Sequence, residues 1–362
     1  MLVSFGADEI MIALVATMGM LPAVVLAPII GIVIDKVPFK KLMFYLLFIE
    51  IAMTLSFIFI NSLDTVWILM ILIFIRSSSA SMLFSAEMAL FPKILSGEML
   101  KKTNEIHSII WSLCYASGMA VGGLVTHYMG FDIAFIIDAT LYSLAIFILL
   151  GLNINIKQIE HNLSNWQMFK DGFIYLLKNK KLIHIILLHA SLGFTSFDAL
   201  VTLLADFQYK EIIAVPLAIG WINATRAFAL MIGPFFISNL VNKSTLHYFF
   251  ILQGLGIILW AFLEYNFYIS LIGLFIAGFF TTTLWSYTYL MLQEEVAPEF
   301  MGRVISYNDM FFMLSNVIVA LFIGFSAKYG ISLQNITITL GFGFIATAIY
   351  YKWFKGVYLN SH

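Results

Sequence analysis

Long apolar stretches recur along this 362-residue chain, and they limit it to a small number of folds. Each stretch runs for roughly 20–27 residues, the length at which a helix crosses the hydrocarbon layer of a bilayer. A strand of a membrane barrel needs only about 9–11 residues. Of the residues, 62% are hydrophobic and 11% are charged. The core of a water-soluble protein is too small to bury that many hydrophobic side chains. The sequence therefore predicts an all-α membrane protein.

About eleven of these stretches are predicted to span the membrane. They cover residues 10–34, 42–61, 65–91, 105–127, 131–152, 182–206, 213–240, 246–265, 268–292, 303–327 and 331–353. Most of the 19 Lys and Arg fall in the loops on one side, at Lys36, Lys40, Lys41, Lys93, Lys101, Lys102, Lys157, Lys170, Lys178, Lys180, Lys181, Lys243, Arg303, Lys352 and Lys355. Basic loops stay in the cytoplasm, so the C-terminus is predicted to be cytoplasmic and the N-terminus to lie outside.

The rest of the composition excludes several classes of function. A net charge of −1 gives no electrostatic surface for nucleic acid. The single cysteine, Cys114, excludes an intrachain disulfide and a zinc ribbon. The sequence contains no Gly-x-x-x-x-Gly-Lys-Ser/Thr loop for ATP and no carboxylate-rich metal motif or loop nucleophile. We therefore expect a protein that is not an enzyme and that carries no cofactor and no metal.

The sequence divides into two apolar halves joined by a polar connection. We predict an N-terminal helical bundle over 1–152, a cytoplasmic linker over 153–181 and a C-terminal helical bundle over 182–362. Within the linker, residues 164–180 have the pattern of an amphipathic helix that lies on the inner membrane surface. The two halves also show weak internal similarity, since 74–98 aligns with 275–299 without gaps. Two related halves are typical of secondary transporters.

A short motif closes the first predicted span. A glycine there lets helices approach closely, and a carboxylate caps a helix N-terminus or pairs with a cation. The residues of this motif are Gly31, Asp35, Lys36 and Lys40. The motif resembles the Gly-x-x-x-Asp-Arg/Lys signature of the major facilitator superfamily. That resemblance implies a conformational latch, which holds the two halves together in the outward-facing state.

A glycine cluster in the fourth predicted span has two interpretations. Its members are Gly118, Gly122 and Gly123, with Met119 where the related motif has proline. The cluster resembles the antiporter motif in the fifth helix of the same superfamily, which implies export by antiport. Glycines at this spacing also let helices pack closely without any further role.

Shorter motifs resemble one branch of the superfamily, which contains the macrolide efflux proteins and the enterobactin exporter. They occur in the right order over nearly the whole chain, at Phe74-Ile-Arg76, Phe91-Pro92, Ile137-Asp138-Ala139, Phe169-Lys-Asp-Gly172 and Glu299-Phe-Met-Gly302-Arg303. The resemblance implies a two-bundle fold of twelve helices with cytoplasmic termini. The chain aligns from the second helix onward, so we expect it to lack the first. This accounts for the predicted outside N-terminus.

The same resemblance implies a multi-pass, monomeric exporter in a bacterial-type inner membrane. We expect a secondary-active antiporter that exchanges protons for a small amphipathic molecule, such as a drug or a siderophore, by alternating access. Its partners would be that molecule, protons and the lipid bilayer. The alternatives are an importer of the same fold, a non-transporting scaffold or remnant, and an enzyme acting on lipid-linked substrates.

Ionisable side chains inside the predicted spans are the first candidates for the transport pathway, because each is costly in lipid. Arg76 either binds a substrate anion or a coupling carboxylate, or forms a structural ion pair. Asp198 is either the proton carrier or a satisfied packing carboxylate, and Arg226 is a candidate to neutralise Asp198 or Asp138. His189 precedes Asp198 by nine residues, which on a regular helix puts them on opposite faces.

Polar and aromatic residues of the 268–292 span are the candidates for substrate contact. In the fold that this chain resembles, 65–91, 182–206 and 268–292 line the central cavity. Thr282, Trp285 and Tyr289 would then offer hydroxyl groups and aromatic faces to a bulky amphipathic molecule. The alternative is that these side chains lie at the membrane interface.

Overall fold

The structure is a computed structural model and describes residues 9–152 and 164–359. Every regular element in the described residues is helical, which confirms the predicted all-α fold. The α-helices are α1 (Glu9–Val25), α2 (Ala27–Lys36), α3 (Phe39–Ser56), α4 (Val66–Ile94), α5 (Gly97–Met129), α6 (Phe131–Gly151), α7 (Asn165–Lys178), α8 (Lys180–Ala190), α9 (Asp198–Leu203), α10 (Val215–Ile237), α11 (Leu246–Leu263), α12 (Phe267–Phe279), α13 (Thr281–Glu295), α14 (Met301–Lys328) and α15 (Leu333–Phe354).

The helices agree with the predicted membrane spans. Within the described residues, 8 helical segments are long and apolar enough to cross a membrane. The pair α1 and α2, bent by 63° at the break between them, is a ninth candidate. Two further predicted spans, 105–127 and 213–240, coincide with α5 and α10, so the prediction of about eleven spans is compatible with the structure. In the predicted linker, α7 forms over the amphipathic segment, and 153–163 lie outside the described residues.

Two spans that the sequence predicts as continuous helices are interrupted in the structure. The 182–206 span consists of α8, a 3₁₀ turn at Ser191–Thr195, α9 and a π-helical turn at Leu204–Gln208. The 268–292 span divides into α12 and α13 at Phe280. The structure therefore contradicts the regular-helix geometry from which opposite faces were predicted for His189 and Asp198. Interrupted helices in transporters leave polar backbone groups available at membrane depth.

The helices form two compact units. Unit 1 comprises Met1–Leu95, Met119–Lys178 and Val296–Met310, and unit 2 comprises Ser96–Gly118, Asn179–Glu295 and Phe311–His362. In unit 1, α3 packs against α4 and α6, and α4 also packs against α1. In unit 2, α11 packs against α12 and α15, and α10 packs against α12 and α13. The predicted domain boundaries, with a linker over 153–181, stay a prediction.

Gly233 lies where α10 and α12 meet backbone to backbone in unit 2. An ideal Cβ at Gly233 would lie 1.8 Å from the carbonyl oxygen of Phe279, far inside van der Waals contact.

We expect Gly233→Ala to lower the free energy of unfolding by about 1–3 kcal/mol, because the two helices must separate. Gly220, on the same helix, has no heavy atom within 4 Å of such a Cβ. Gly220→Ala should raise the unfolding temperature slightly, since alanine favours the helix. Equal unfolding temperatures for the two variants in detergent would contradict this crossing.

Candidate functional site

Asp35 binds the first turn of α14 inside unit 1. Its Oδ1 accepts a hydrogen bond from the backbone N–H of Gly302 at 2.8 Å, and its Oδ2 accepts one from Nε of Arg303 at 2.8 Å. The Asp35 and Arg303 side chains are only 1% and 2% exposed, so this ion pair is desolvated. The carboxylate also lies at the positive end of the α14 dipole. We call this arrangement the Asp35–Arg303 contact.

Glycine residues make this close approach possible. A Cβ at Gly31 would lie 2.5 Å from Cα of Arg303, and one at Gly302 would lie 2.6 Å from Oδ1 of Asp35. The Arg303 guanidinium also donates to the carbonyl oxygens of Met168 and Glu299. Of the predicted latch residues, Gly31 and Asp35 therefore meet α14.

The two lysines of the predicted latch lie elsewhere. Nζ of Lys40 donates to the carbonyl oxygens of Leu150 and Leu152, at 2.8 Å each, and so caps the carboxyl end of α6. Lys36 ends α2 with a half-buried side chain. Lys40 thus holds the first predicted loop against α6 of its own unit.

Arg76, on α4, lies between two carboxylates of unit 1. Its Nη2 is 2.9 Å from Oδ2 of Asp138, and its Nε is 3.1 Å from Oε2 of Glu50. Nε of Arg76 donates its hydrogen bond to Oγ1 of Thr54, at 3.1 Å. Glu50 therefore interacts with Arg76 through charge attraction and not through a hydrogen bond. Glu50 is 0% exposed. We call Arg76, Glu50, Asp138 and Thr54 the Arg76 cluster.

The Arg76 cluster contains two carboxyl groups and one guanidinium. If both carboxyl groups are ionised, the cluster has one uncompensated negative charge. Glu50 is the fully buried member of the cluster, so an uncompensated charge on Glu50 would be costly. The sequence marks Arg76 as a candidate, but nothing in it shows that three separate helices bring Glu50 and Asp138 to this arginine.

His189 lies in an aromatic cluster of unit 2, between α8 and α13. Its Nδ1 is 2.8 Å from Oγ1 of Thr288, and its side chain is buried. Its ring centroid lies 4.5 Å from that of Tyr289, 5.5 Å from that of Trp285 and 5.4 Å from that of Phe312. Its Nε2 is buried without a hydrogen-bond partner in the described residues. We call His189, Trp285, Tyr289 and Phe312 the aromatic cluster.

The aromatic cluster contains three of the predicted pathway residues. Thr282 lies one turn before Trp285 on α13 and is buried as well. Phe312 was missed, because its helix was not among the predicted cavity helices. Tyr289 is fully buried within the protein, whereas Trp285 is half-buried.

Arg226 pairs with Asp198 at the break in the α8–α9 span. Nη1 of Arg226 is 3.6 Å from Oδ1 of Asp198, and Nη2 donates to the carbonyl oxygen of Thr195 at 2.7 Å. The Asp198 side chain is 68% exposed from the protein. The role of Asp198 as proton carrier stays a prediction. Asp138, the other proposed partner of Arg226, pairs with Arg76.

The glycine cluster of α5 makes no close helix contact at the two positions whose surroundings are described. An ideal Cβ at Gly118 or at Gly122 would meet no heavy atom within 4 Å. Gly123 follows on the same helix. Close packing at Gly118 and Gly122, the alternative interpretation of the motif, is not seen in the described part of the chain.

Within the part of the chain that the structure describes, no group of three His, Cys, Asp or Glu residues could hold a metal ion.

Comparison with known sequences identifies the family. The family model for the Major Facilitator Superfamily matches residues 1–215. Macrolide efflux protein A of Enterococcus faecalis is 23% identical over 312 residues, which cover 82% of this chain and 94% of that protein. Macrolide efflux protein A of Streptococcus pyogenes is 22% identical over 315 residues, which cover 83% of this chain and 76% of that protein. These matches confirm the predicted family and its macrolide efflux branch.

Solved structures share the fold at low sequence identity. The Escherichia coli fucose:proton symporter has a TM-score of 0.79 and 11% identity, over 96% of this chain and 91% of that chain. An outward-facing bacterial homologue of the iron transporter ferroportin has a TM-score of 0.73 and 14% identity, over 98% and 93% of the two chains. The human organic anion transporter MFSD10 also has a TM-score of 0.73 and 14% identity, over 93% and 82%. With the family model matching more than half of its residues, this chain belongs to the Major Facilitator Superfamily.

Proposed function

We propose that this chain is a secondary-active exporter that exchanges protons for a small amphipathic molecule by alternating access. Membership of the superfamily and the similarity to proteins named macrolide efflux protein A support export. We further propose that it works as a monomer in a bacterial-type inner membrane, with its C-terminus in the cytoplasm. The concentration of Lys and Arg in the loops on one side supports that orientation.

The Arg76 cluster is the main observation that supports the proposed proton coupling. It brings two carboxyl groups to one guanidinium on apolar helices of unit 1. Binding a proton would neutralise the cluster, and releasing it would restore a negative charge that Arg76 alone does not balance. Such a charge change is the kind of event that biases a two-state transporter. Asp198 is a weaker candidate for this role because of its exposure.

The aromatic cluster supports an amphipathic substrate. Trp285 and Tyr289 have large apolar faces, while His189 and Thr288 contribute polar groups. Substrate sites commonly combine mainly apolar and aromatic surface with a few polar groups that fix orientation. The rings of the cluster contact one another in this structure, so we propose that it opens to the substrate in another state of the cycle.

The Asp35–Arg303 contact supports alternating access. α14 begins in unit 1 and continues into unit 2 after Met310. A desolvated ion pair at the start of that helix is either fully formed or broken, because partial separation would strand two buried charges. We propose that the contact forms in one state of the transporter and breaks in the other.

Gradient-driven flux tests the proposal. Inverted vesicles with an imposed pH gradient should accumulate one or more members of a panel of macrolides, other drugs and siderophores, and a protonophore should abolish the accumulation. Trp285→Ala should raise KM about tenfold with kcat less affected, since it removes aromatic surface from the site. Trp67, exposed on α4 of unit 1, supplies the matched control Trp67→Ala.

Three outcomes would contradict the proposal. Flux that does not depend on the pH gradient would contradict proton coupling. Uptake of substrate only in right-side-out vesicles would indicate an importer. Absence of flux for every compound, with folded protein present, would favour a non-transporting protein.

A further inference from the structure

Glu264 joins three elements at one end of unit 2. It directly follows α11, and its Oε1 lies 2.6 Å from Oγ1 of Thr337, in the second turn of α15. Its backbone carbonyl oxygen accepts hydrogen bonds from the Tyr209 hydroxyl at 2.7 Å and from Nε2 of Gln208 at 2.8 Å. Glu264 is only 1% exposed. The residue therefore connects α11, α15 and the end of the interrupted 182–206 span.

No charged group neutralises the Glu264 carboxyl group in the described part of the chain. On the neighbouring segment, Asp206, Lys210 and Glu211 have exposed side chains. The titratable group that faces Glu264 is Tyr209, and burial raises the pKa of Tyr209 to about 12, so its hydroxyl stays protonated. Burial raises the pKa of Glu264 to about 8, against a smaller opposite effect of the Thr337 hydroxyl.

The hydrogen-bond geometry around Thr337 also accommodates the neutral acid. The Thr337 hydroxyl has one proton, but two acceptors lie within reach, Oε1 of Glu264 at 2.6 Å and the carbonyl oxygen of Leu333 at 3.0 Å. If Glu264 is protonated on Oε1, it donates to Thr337, and Thr337 donates to Leu333. The other oxygen, Oε2, is buried without a partner, which is far less costly for a neutral acid than for a carboxylate.

We propose that the Glu264 carboxyl group is a proton-binding site of unit 2, separate from the Arg76 cluster of unit 1. At neutral pH the site is occupied, and the bound proton completes the hydrogen bonds between α11 and α15. Loss of the proton leaves a buried, unpaired carboxylate where three elements meet, and so weakens their packing. The predicted topology puts this end of unit 2 outside, so the site would respond to external pH.

The sign of the pH dependence follows from the direction of the pKa shift. Glu264 binds its proton more tightly in the folded protein than in the unfolded chain. Its contribution to stability is therefore complete at low pH and is lost as the pH rises to about 8. Between the unfolded and folded pKa values, the folding equilibrium should change by about tenfold per pH unit from this group. Glu264→Gln, which keeps the shape and a donor for Thr337, should remove that dependence.

Infrared spectroscopy of the purified protein tests the site directly. The difference between wild type and Glu264→Gln at pH 7 should contain the C=O stretching band of a protonated carboxyl group, and this band should disappear with a midpoint near pH 8. Glu211→Gln, which changes an exposed glutamate at the same end, should show no such difference. A midpoint near the ordinary glutamate value of 4.5 would overturn the proposal.

Two substitutions of Thr337 separate proton binding from a purely structural role. Thr337→Val removes the hydroxyl group that stabilises the ionised form, so the midpoint of the Glu264 band should move to higher pH. Thr337→Ser keeps the hydroxyl group and should leave the midpoint close to that of wild type. Equal midpoints for the two variants would overturn the proposed geometry. Transport can fail for other reasons without affecting either result.

Discussion

Asp35→Asn should reduce the rate of gradient-driven transport at least tenfold while the protein still reaches the membrane folded. The asparagine places either an uncharged oxygen or an amide N–H against Nε of Arg303, where the wild type has a carboxylate at 2.8 Å. Removing one partner of a buried ion pair typically costs about 3–5 kcal/mol. Since about 1.4 kcal/mol corresponds to tenfold in population, the state containing the contact should become about a hundredfold rarer or more. The initial rate of efflux in inverted vesicles, at matched protein amounts, measures this effect.

The matched control makes the same chemical change where no buried pair exists. Asp64 is exposed beyond the end of α3 in unit 1, so Asp64→Asn should transport at the wild-type rate. Asp35→Asn combined with Arg303→Met should lose less than the sum of the two single variants, because neither charge is then stranded. Wild-type transport by Asp35→Asn would contradict the proposed role of the contact.

A steric substitution tests the same contact without changing its charges. The side chain of Gly31→Ala would meet Cα of Arg303 at 2.5 Å, whereas that of Gly220→Ala meets no heavy atom within 4 Å. We expect Gly31→Ala to reproduce the loss of transport and Gly220→Ala to leave it intact. If both variants were unaffected, the close approach of α2 to α14 would not be needed for transport.

The general architecture could be predicted because it depends on local chemistry. Apolar length alone defines the spans, and the family motifs were sufficient to select Gly31 and Asp35 for contact with a neighbouring helix. The partner itself was not predicted, because Asp35 and Arg303 lie 268 positions apart and no periodic pattern relates them. Arg303 has the appearance of an ordinary basic loop residue in the sequence.

The interrupted spans show a different limit of sequence analysis. Apolar composition continues through the break between α8 and α9, so a window that averages hydrophobicity finds one helix. The local signal was present at 191–196, where Ser, Gly and Thr residues replace strong helix formers. It was outweighed by the apolar residues around it. The regular-helix geometry assumed between His189 and Asp198 followed from this choice.

Buried carboxyl groups were the least predictable part of the candidate site. Glu50 and Glu264 are both enclosed in the structure, yet neither is among the candidate residues that the sequence indicates. Asp198 was selected for its depth in the span, but its side chain is exposed. Depth along a helix can be read from sequence, whereas the direction of a side chain around an interrupted helix depends on tertiary packing.

Arg76→Gln should abolish proton-driven transport and lower the free energy of unfolding by about 3 kcal/mol. The substitution leaves Glu50 and Asp138 without their shared cation, and Glu50 has no access to solvent. Protonation of one or both carboxyl groups would limit the loss of stability, so the deficit should be smaller at low pH. Thermal unfolding at two pH values and flux in inverted vesicles measure the two effects. Glu98→Gln, which breaks an exposed ion pair with Lys102, should change neither.

Glu50→Gln decides whether the Arg76 cluster binds the coupling proton or only holds helices together. The variant keeps the size of the side chain and leaves Arg76 paired with Asp138, at 2.9 Å, so the protein should fold. If the cluster binds the proton, Glu50→Gln should still exchange substrate down its own gradient but should not accumulate it against one, and the rate should lose its pH dependence. A structural pair gives the opposite result, in which accumulation persists and only stability changes. Because accumulation of substrate and protein stability are measured separately, this one variant distinguishes a site that binds and releases the coupling proton from a purely structural ion pair.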